Sequence, residues 1–382
     1  MLTLIKNGLV YQNATRSFLP LDMLIENGKI AAISQRGELE GVDADIVDAS
    51  NFRLTAGLID VHTHGIAGYD FLFADSEALK KMSRAYLSHG VTTVMPTLAS
   101  GELKEMLWAT KNINSFDEEN SGASFCGAHI EGRYLNPLKR GAHAPELLVL
   151  PCANELCDFA SIGLKNLHIS AALELEGGKE FLTKALELGA TLSLGHTNAT
   201  YAEATEFERM GVTAYTHLYN AMPPLHHREG GAVAACLNGE AYGELICDGI
   251  HVAREVVALT YKIKRDKLTL ISDSMEATDS PDGEYFIAGN KVNVKDGIAR
   301  TLDGALAGST LTLDVALQNL MSFCDISLED AIINATEAPA REIGIFDTCG
   351  SLDVGKRADI LFIDSAQFAI KSVMRNGELI AL

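Results

Sequence analysis

Apolar and polar positions alternate with a short period over roughly the first fifty residues, a spacing that reads as strands. LTLIKNGLVY (2–11), DMLIENGKIAAI (22–33) and ADIVDAS (44–50) are the runs, and Asn7-Gly8 and Asn27-Gly28 are turn pairs of the hairpin type. The last stretch has the same texture: GSLDVGKRADILFID, then FAIKSVMRNGELI with Asn376-Gly377. Two strand-rich ends around a different middle predict one small β-sandwich built from residues 1–54 and 348–382.

The middle, 55–347, alternates short β-branched runs with amphipathic helical stretches such as SEALKKMSRAYLSHG, KEFLTKALELG and YAEATEFERMG. Eight strand candidates follow one another: LTAGLIDVHTHG, GVTTVMPT, ASFCGAHIEG, LHISAALELEG, ATLSLGHT, VTAYTHLYN, GELICDGIHV and LTLISDSM. Gly90, Gly189 and Gly211 each stand between a helical stretch and a Thr-containing strand, where a helix C-cap belongs. Eight βα units predict a closed parallel (β/α)₈ TIM barrel, and the absence of a glycine fingerprint disfavours a doubly wound sheet. A strand-like segment with Asp-Gly pairs at 282–283, 296–297 and 303–304 predicts a β-hairpin insertion near 282–303, beside the barrel mouth.

Composition narrows the class. With 382 residues, 47% hydrophobic and 21% charged, a large core is affordable. The formal charge of −20 argues against nucleic acid and anionic membrane as partners, and an anionic substrate would need local positive charge. Seven scattered cysteines without CxxC pairs predict free thiols in a reducing compartment. No signal peptide and no apolar run near the ~20 residues of a membrane helix is evident, so a cytoplasmic location is expected.

Polar residues gather at the C-terminal ends of the strand candidates, which in a barrel converge on one mouth. His62 and His64 end the first, Glu131 the third, His196 the fifth, His217 the sixth and Asp273 the eighth. His62 and His64 are two apart on a strand and point the same way, so both imidazoles can face one cation. Imidazole and carboxylate suit zinc, iron or manganese. A lone histidine would be an ordinary barrel residue; five such donors at one end of different strands predict a divalent-metal hydrolase. Asp273 is the candidate general base and acid. His226-His227-Arg228 and His251 are candidate anion binders. His89 is expected at the surface, His168 away from the mouth, and His129 as deeper barrel lining.

The motifs IDVHTHG, HIEGRYLNPLKRGAH, LGHTNAT, THLYNAM, LHHREGG, DGIHV and SDSM…PDGEY together resemble the N-acetylglucosamine-6-phosphate deacetylases of the amidohydrolase superfamily, over nearly the whole chain. The resemblance implies a barrel with a β-sandwich from both termini and a homodimer. It implies one or two divalent ions per subunit, zinc first, with iron, manganese or cobalt as alternatives. Glu131, His196 and His217 match the main metal ligands, and His62 and His64 those of a second ion bridged by Glu131. Asp273 matches the catalytic aspartate. His143, with Ala142 beside it, matches a histidine near the acetyl carbonyl and sugar. Asn220, Ala221 and His251 match phosphate contacts, and Arg228 an arginine lent by the neighbouring subunit. The implied substrate is N-acetylglucosamine 6-phosphate, with the galactosamine epimer close behind.

The pattern departs from that family at several positions. Arg133 stands where Pro is usual, and next to Glu131 it could pair with that carboxylate or reach the substrate. Leu173 stands in the usual Ala-Pro-Glu, Gly230 in the usual Arg-Glu-Pro-Gly, and Ser274 and Glu276 follow Asp273 in place of small residues. Two other readings are open. Cyclic-amide hydrolysis is disfavoured because the fourth strand offers no lysine after its start, and a non-enzymatic sugar-phosphate binder is disfavoured by the intact donor set.

Overall fold

The computed structural model describes residues 2–116 and 122–382. Its barrel strands are Leu58–Thr63, Val91–Leu98, Ala128–Glu131, Leu167–Ala171, Thr191–Leu194, Ala214–Tyr215, Tyr242–Ile246 and Leu268–Ile271. Each pairs in parallel with the next. Between the last strand and the first the ladder gives way to backbone bonds just beyond the strands, Asp273 N–H to the His62 carbonyl at 2.9 Å and His64 and Gly65 N–H to the Ser274 carbonyl, and to the Ser272 hydroxyl donating to buried Asp60. The (β/α)₈ architecture is thus as expected. The third strand is interrupted at Cys126-Gly127, where Gly127 lies so close to the Asn166 carbonyl that a Cβ would approach that oxygen to 2.2 Å. Helix starts follow local chemistry. Asp75 accepts from Ala78 N–H ahead of Ser76–Ser88, and Thr200 and Glu203 form a reciprocal capping box on Tyr201–Met210. Gly90, Gly189 and Gly211 all take positive φ at helix ends.

The termini share one hydrogen-bonded sheet. Phe52–Ala56 pairs antiparallel with Ile360–Asp364, so the C-terminal strands continue the N-terminal set. Ser17–Glu26 is the strand where the sheet turns: its first part pairs with Leu9–Gln12 and its second with Leu2–Lys6 and Lys29–Gln35. Ile5, Val10, Met23, Leu54, Phe362 and Met374 from both parts fill one core. Asn27-Gly28 and Asn376-Gly377 are hairpin turns with both residues at positive φ. Asn7-Gly8 is not: the runs on either side pair with the same strand, and Asn7 N–H donates to Asp22 Oδ1 at 3.0 Å, so the pair is a kink in one extended run.

The segment after the eighth barrel strand is a three-stranded antiparallel sheet, Gly283–Ile287, Asn290–Lys295 and Ile298–Thr301, rather than one hairpin. Its first turn is Ala288-Gly289, at φ 48° and 83°, a pair carrying no Asn or Asp signal; Asp296-Gly297 makes the second. Asp282 makes no turn of its own, its carboxylate accepting from the Asp296 and Gly297 N–H groups. The sheet is tied to the mouth by Asn290 Nδ2 donating to the Ala142 carbonyl (2.7 Å) and Ala144 N–H to the Ala288 carbonyl (3.1 Å). Among the described residues no helix is long and apolar enough to cross a membrane, and all seven cysteines are free.

Candidate metal centre

The residues singled out at the strand ends meet at one point. His62 is within the first barrel strand, His64 one residue beyond it, and Glu131 is the last residue of the third. His196, His217 and Asp273 do not end their strands; each lies two residues past the last paired one, at φ 47°, 29° and 49°. Left-handed backbone at three non-glycine residues is costly and is held by surrounding bonds. His217 N–H donates to Glu244 Oε2, and Asp273 is gripped through both its N–H and its carbonyl, the latter by Ser309 N–H.

Glu131 is the hub. Its Oε1 lies 2.9 Å from His217 Nε2, 3.3 Å from His196 Nε2 and 3.5 Å from His62 Nε2; its Oε2 lies 3.1 Å from His64 Nε2 and 3.7 Å from His143 Nε2. Asp273 Oδ1 is 3.2 Å from His64 Nε2 and 3.5 Å from His62 Nε2. Donor atoms of His62, His64 and Asp273 lie within 4.8 Å of one another, as do those of Glu131, His143 and His196.

Tautomers show what this cluster suits. His62 Nδ1 donates to buried Glu244 Oε2 at 2.9 Å, and His196 Nδ1 to the Lys139 carbonyl at 2.8 Å. In the neutral rings both Nε2 lone pairs then turn inward, toward Glu131 and, for His62, Asp273, and toward His217 Nε2 at 3.1 Å. Lone pairs facing carboxylates repel unless a cation or extra protons intervene, and buried His62 Nε2 has no hydrogen-bond partner. The set therefore fits a divalent metal ion. Without one, protons substitute. Burial opposes a charge on His64, but Asp273 and Glu131 outweigh it and raise its pKa to about 9. Burial likewise pushes Glu131 up, yet His62, His143, His196 and His217 hold it well below the usual carboxylate range. Burial is outweighed at Asp273 too, by His64 and His62, so its carboxylate is held ionised.

A cavity of about 260 Å³ opens over this cluster. His64, Glu131, Ala142, His143, His196, His217, Asn220, Ala221, His251 and Asp273 all line it, with Ile287 and Ala288 of the inserted sheet. Arg228 does not: it is exposed on the 226–229 loop, away from this chain's own cavity. Arg133 neither pairs with Glu131 nor reaches the cavity. Its φ of 68° is one proline cannot adopt. Its guanidinium turns outward to Glu155, through Nε and Nη2 at 3.2 Å each, and to the Gly101 carbonyl. Ser274 and Glu276 are fasteners: the Ser274 carbonyl accepts from His64 and Gly65 N–H, and Glu276 accepts from Phe286 N–H of the inserted sheet. Glu174 clamps the loop beyond the fifth strand through Asn136, Thr197 and Asn198. His129 and His168 are buried barrel lining, bonded to Ser170 and Thr191. His89 is half-buried between Asp279 and Asp314, so it is a cross-brace and not a free surface group.

Two supporting carboxylates were not singled out from the sequence. Glu244 interrupts the apolar strand Tyr242–Ile246, and an acid inside such a run is the available signal. Asp248 accepts from His251 Nδ1 at 2.7 Å and from its N–H, aiming that ring; this turn has no distinctive pattern.

Comparison with known proteins bears on this geometry. Residues 53–380 match the Amidohydrolase family model. An N-acetylgalactosamine-6-phosphate deacetylase of Escherichia coli O157:H7 is 33% identical over 358 residues, 93% of each chain. An N-acetylglucosamine-6-phosphate deacetylase of Vibrio furnissii is 33% identical over 359 residues, 93% of this chain and 89% of that one. The chain belongs to the N-acetylglucosamine-6-phosphate deacetylases of the amidohydrolase family. The crystal structure of the deacetylase of that name from Pasteurella multocida superposes at a TM-score of 0.93, with 27% identity and full coverage of both chains. Membership makes this chain a hydrolase and a carbohydrate deacetylase.

Proposed function

We propose that this deacetylase hydrolyses N-acetylglucosamine 6-phosphate to glucosamine 6-phosphate and acetate, a step of amino-sugar catabolism. The observation that carries the reading is the convergence of the His62 and His196 Nε2 lone pairs on Glu131, with ionised Asp273 at its side. Glu131, His196 and His217 would hold one divalent ion, zinc first, and His62 and His64 a second that shares Glu131. Such an ion, when bound, polarises the acyl oxygen and activates water. Asp273 accepts the proton of the attacking water and returns it to the nitrogen as the C–N bond breaks, so the amine leaves neutral. His143 faces the acyl oxygen. Asn220, Ala221 and Asp248-aimed His251 surround the phosphate, and Arg228, exposed on its own subunit, completes that site in a homodimer. This is a cytoplasmic enzyme in our reading.

The galactosamine epimer is the second substrate, favoured by the Escherichia coli relative at equal identity. Acetate release from both epimers, with and without the 6-phosphate, by protein of measured metal content tests the reading. N-acetylglucosamine 6-phosphate is expected to have the highest kcat/KM; release from neither epimer would refute it. Glu244 orients His62 through Nδ1, so Glu244→Ala is expected to weaken metal binding about 10–100-fold, read by competition with a chromogenic chelator. Unchanged affinity would remove Glu244 from that role.

A further inference from the structure

Ser100 and Arg133, which the mechanism above leaves unused, form a buried set with His143. Ser100 follows the second barrel strand and is fully buried. Its Oγ lies 3.0 Å from the Arg133 backbone nitrogen and 2.8 Å from His143 Nδ1. A backbone N–H only donates, so Arg133 takes one of the hydroxyl's two acceptor positions, and His143 Nδ1 is the partner placed to receive the hydroxyl proton. The Ser100 N–H also points at Nδ1, from 3.4 Å. Two donors aimed at one ring nitrogen make it an acceptor, and the proton of the neutral ring then resides on Nε2. Arg133 is anchored, since Glu155 holds its guanidinium and also accepts from the Tyr134 hydroxyl at 2.8 Å.

We propose that Ser100 is a positioning residue that fixes His143 as the Nε2–H tautomer. His143 then presents a donor, and not a lone pair, to the oxygen of the substrate's acyl group, where negative charge develops. The same proton withdraws His143 from the metal donors, although its Nε2 lies only 3.7 Å from Glu131 Oε2. The identity of that oxygen rests on the deacetylase reading; the tautomer does not.

The test uses metal-loaded, full-length protein with ¹⁵N-labelled histidine, as wild type and as Ser100→Ala. His143 signals are identified by their loss in His143→Gln. In the wild type, Nδ1 is expected unprotonated and Nε2 protonated. In Ser100→Ala the Nε2–H population falls, and kcat for acetate release falls about 10²-fold with KM changed less than about twofold. A wild-type His143 protonated at Nδ1 overturns the proposal whatever the variant does, including a variant that loses metal or unfolds. So does a Ser100→Ala protein that keeps both the tautomer and kcat. Failure of the wild type to release acetate, with the tautomer as expected, strikes the deacetylase reading instead.

Discussion

Asp273→Asn is expected to lower kcat by about 10²–10⁴-fold, the range associated with losing a general acid and base. Asparagine is nearly isosteric and tolerates the left-handed backbone at this position, φ 49°. Both backbone bonds that hold residue 273, to His62 and from Ser309, survive the change. What is lost is a carboxylate that His64 and His62 hold ionised despite burial, and with it the ability to take and return a proton. Metal content measured by plasma mass spectrometry is expected to persist at the Glu131, His196 and His217 donors. A variant with kcat within a few-fold of wild type would refute the role of Asp273.

Glu131→Gln is expected to have an effect at least as large, for a different reason. Both oxygens of Glu131 are used, Oε1 toward His62, His196 and His217 and Oε2 toward His64. The amide cannot supply two anionic oxygens, so metal affinity and turnover should fall together, kcat by at least about 10³-fold if several kcal/mol of Lewis-acid stabilisation are lost. Chelation of the wild type should reproduce this loss, and added metal should reverse it. The pH dependence has a definite sign. In the metal-free protein His64 keeps its proton up to about pH 9 and must release it to bind metal. Affinity should therefore rise with pH up to that point, by about tenfold per unit for one displaced proton. A pH-independent affinity, or wild-type turnover by Glu131→Gln, would contradict the arrangement.

Much of this site was legible in the sequence because a barrel converts strand order into position. Donors spaced tens of residues apart, His62, Glu131, His196 and His217, had to meet if each stood at the same end of its strand. The legibility stopped where direction depends on one dihedral. Strand alternation says nothing of His196, His217 and Asp273, which lie beyond the paired residues at positive φ. Arg133 looked available to Glu131 by proximity along the chain, yet its left-handed backbone sends it to Glu155. Asn7-Gly8 carried a hairpin signal that long-range pairing overrode, and Ala288-Gly289 made a turn without one. Ser100 and Glu244 meet residues far away in sequence, His143 and His62, which local pattern does not encode; Asp248 meets His251 only three residues on, in a turn without a distinctive signal.

Closure of the barrel has a consequence for how the protein is made. Asp60 and Ser272, whose bond helps join the last strand to the first, are 212 positions apart. While the chain is being synthesised, the first strand with its His62 and His64 emerges long before Asp273 exists. Contacts of such high sequence separation form late, because the entropy of closing the loop must be overcome first. The Asp273 carboxylate reaches the histidine cluster through a backbone bond that helps shut the barrel, Asp273 N–H to the His62 carbonyl. The donor cluster is complete only once the barrel has closed, so metal binding and activity should report on complete folding.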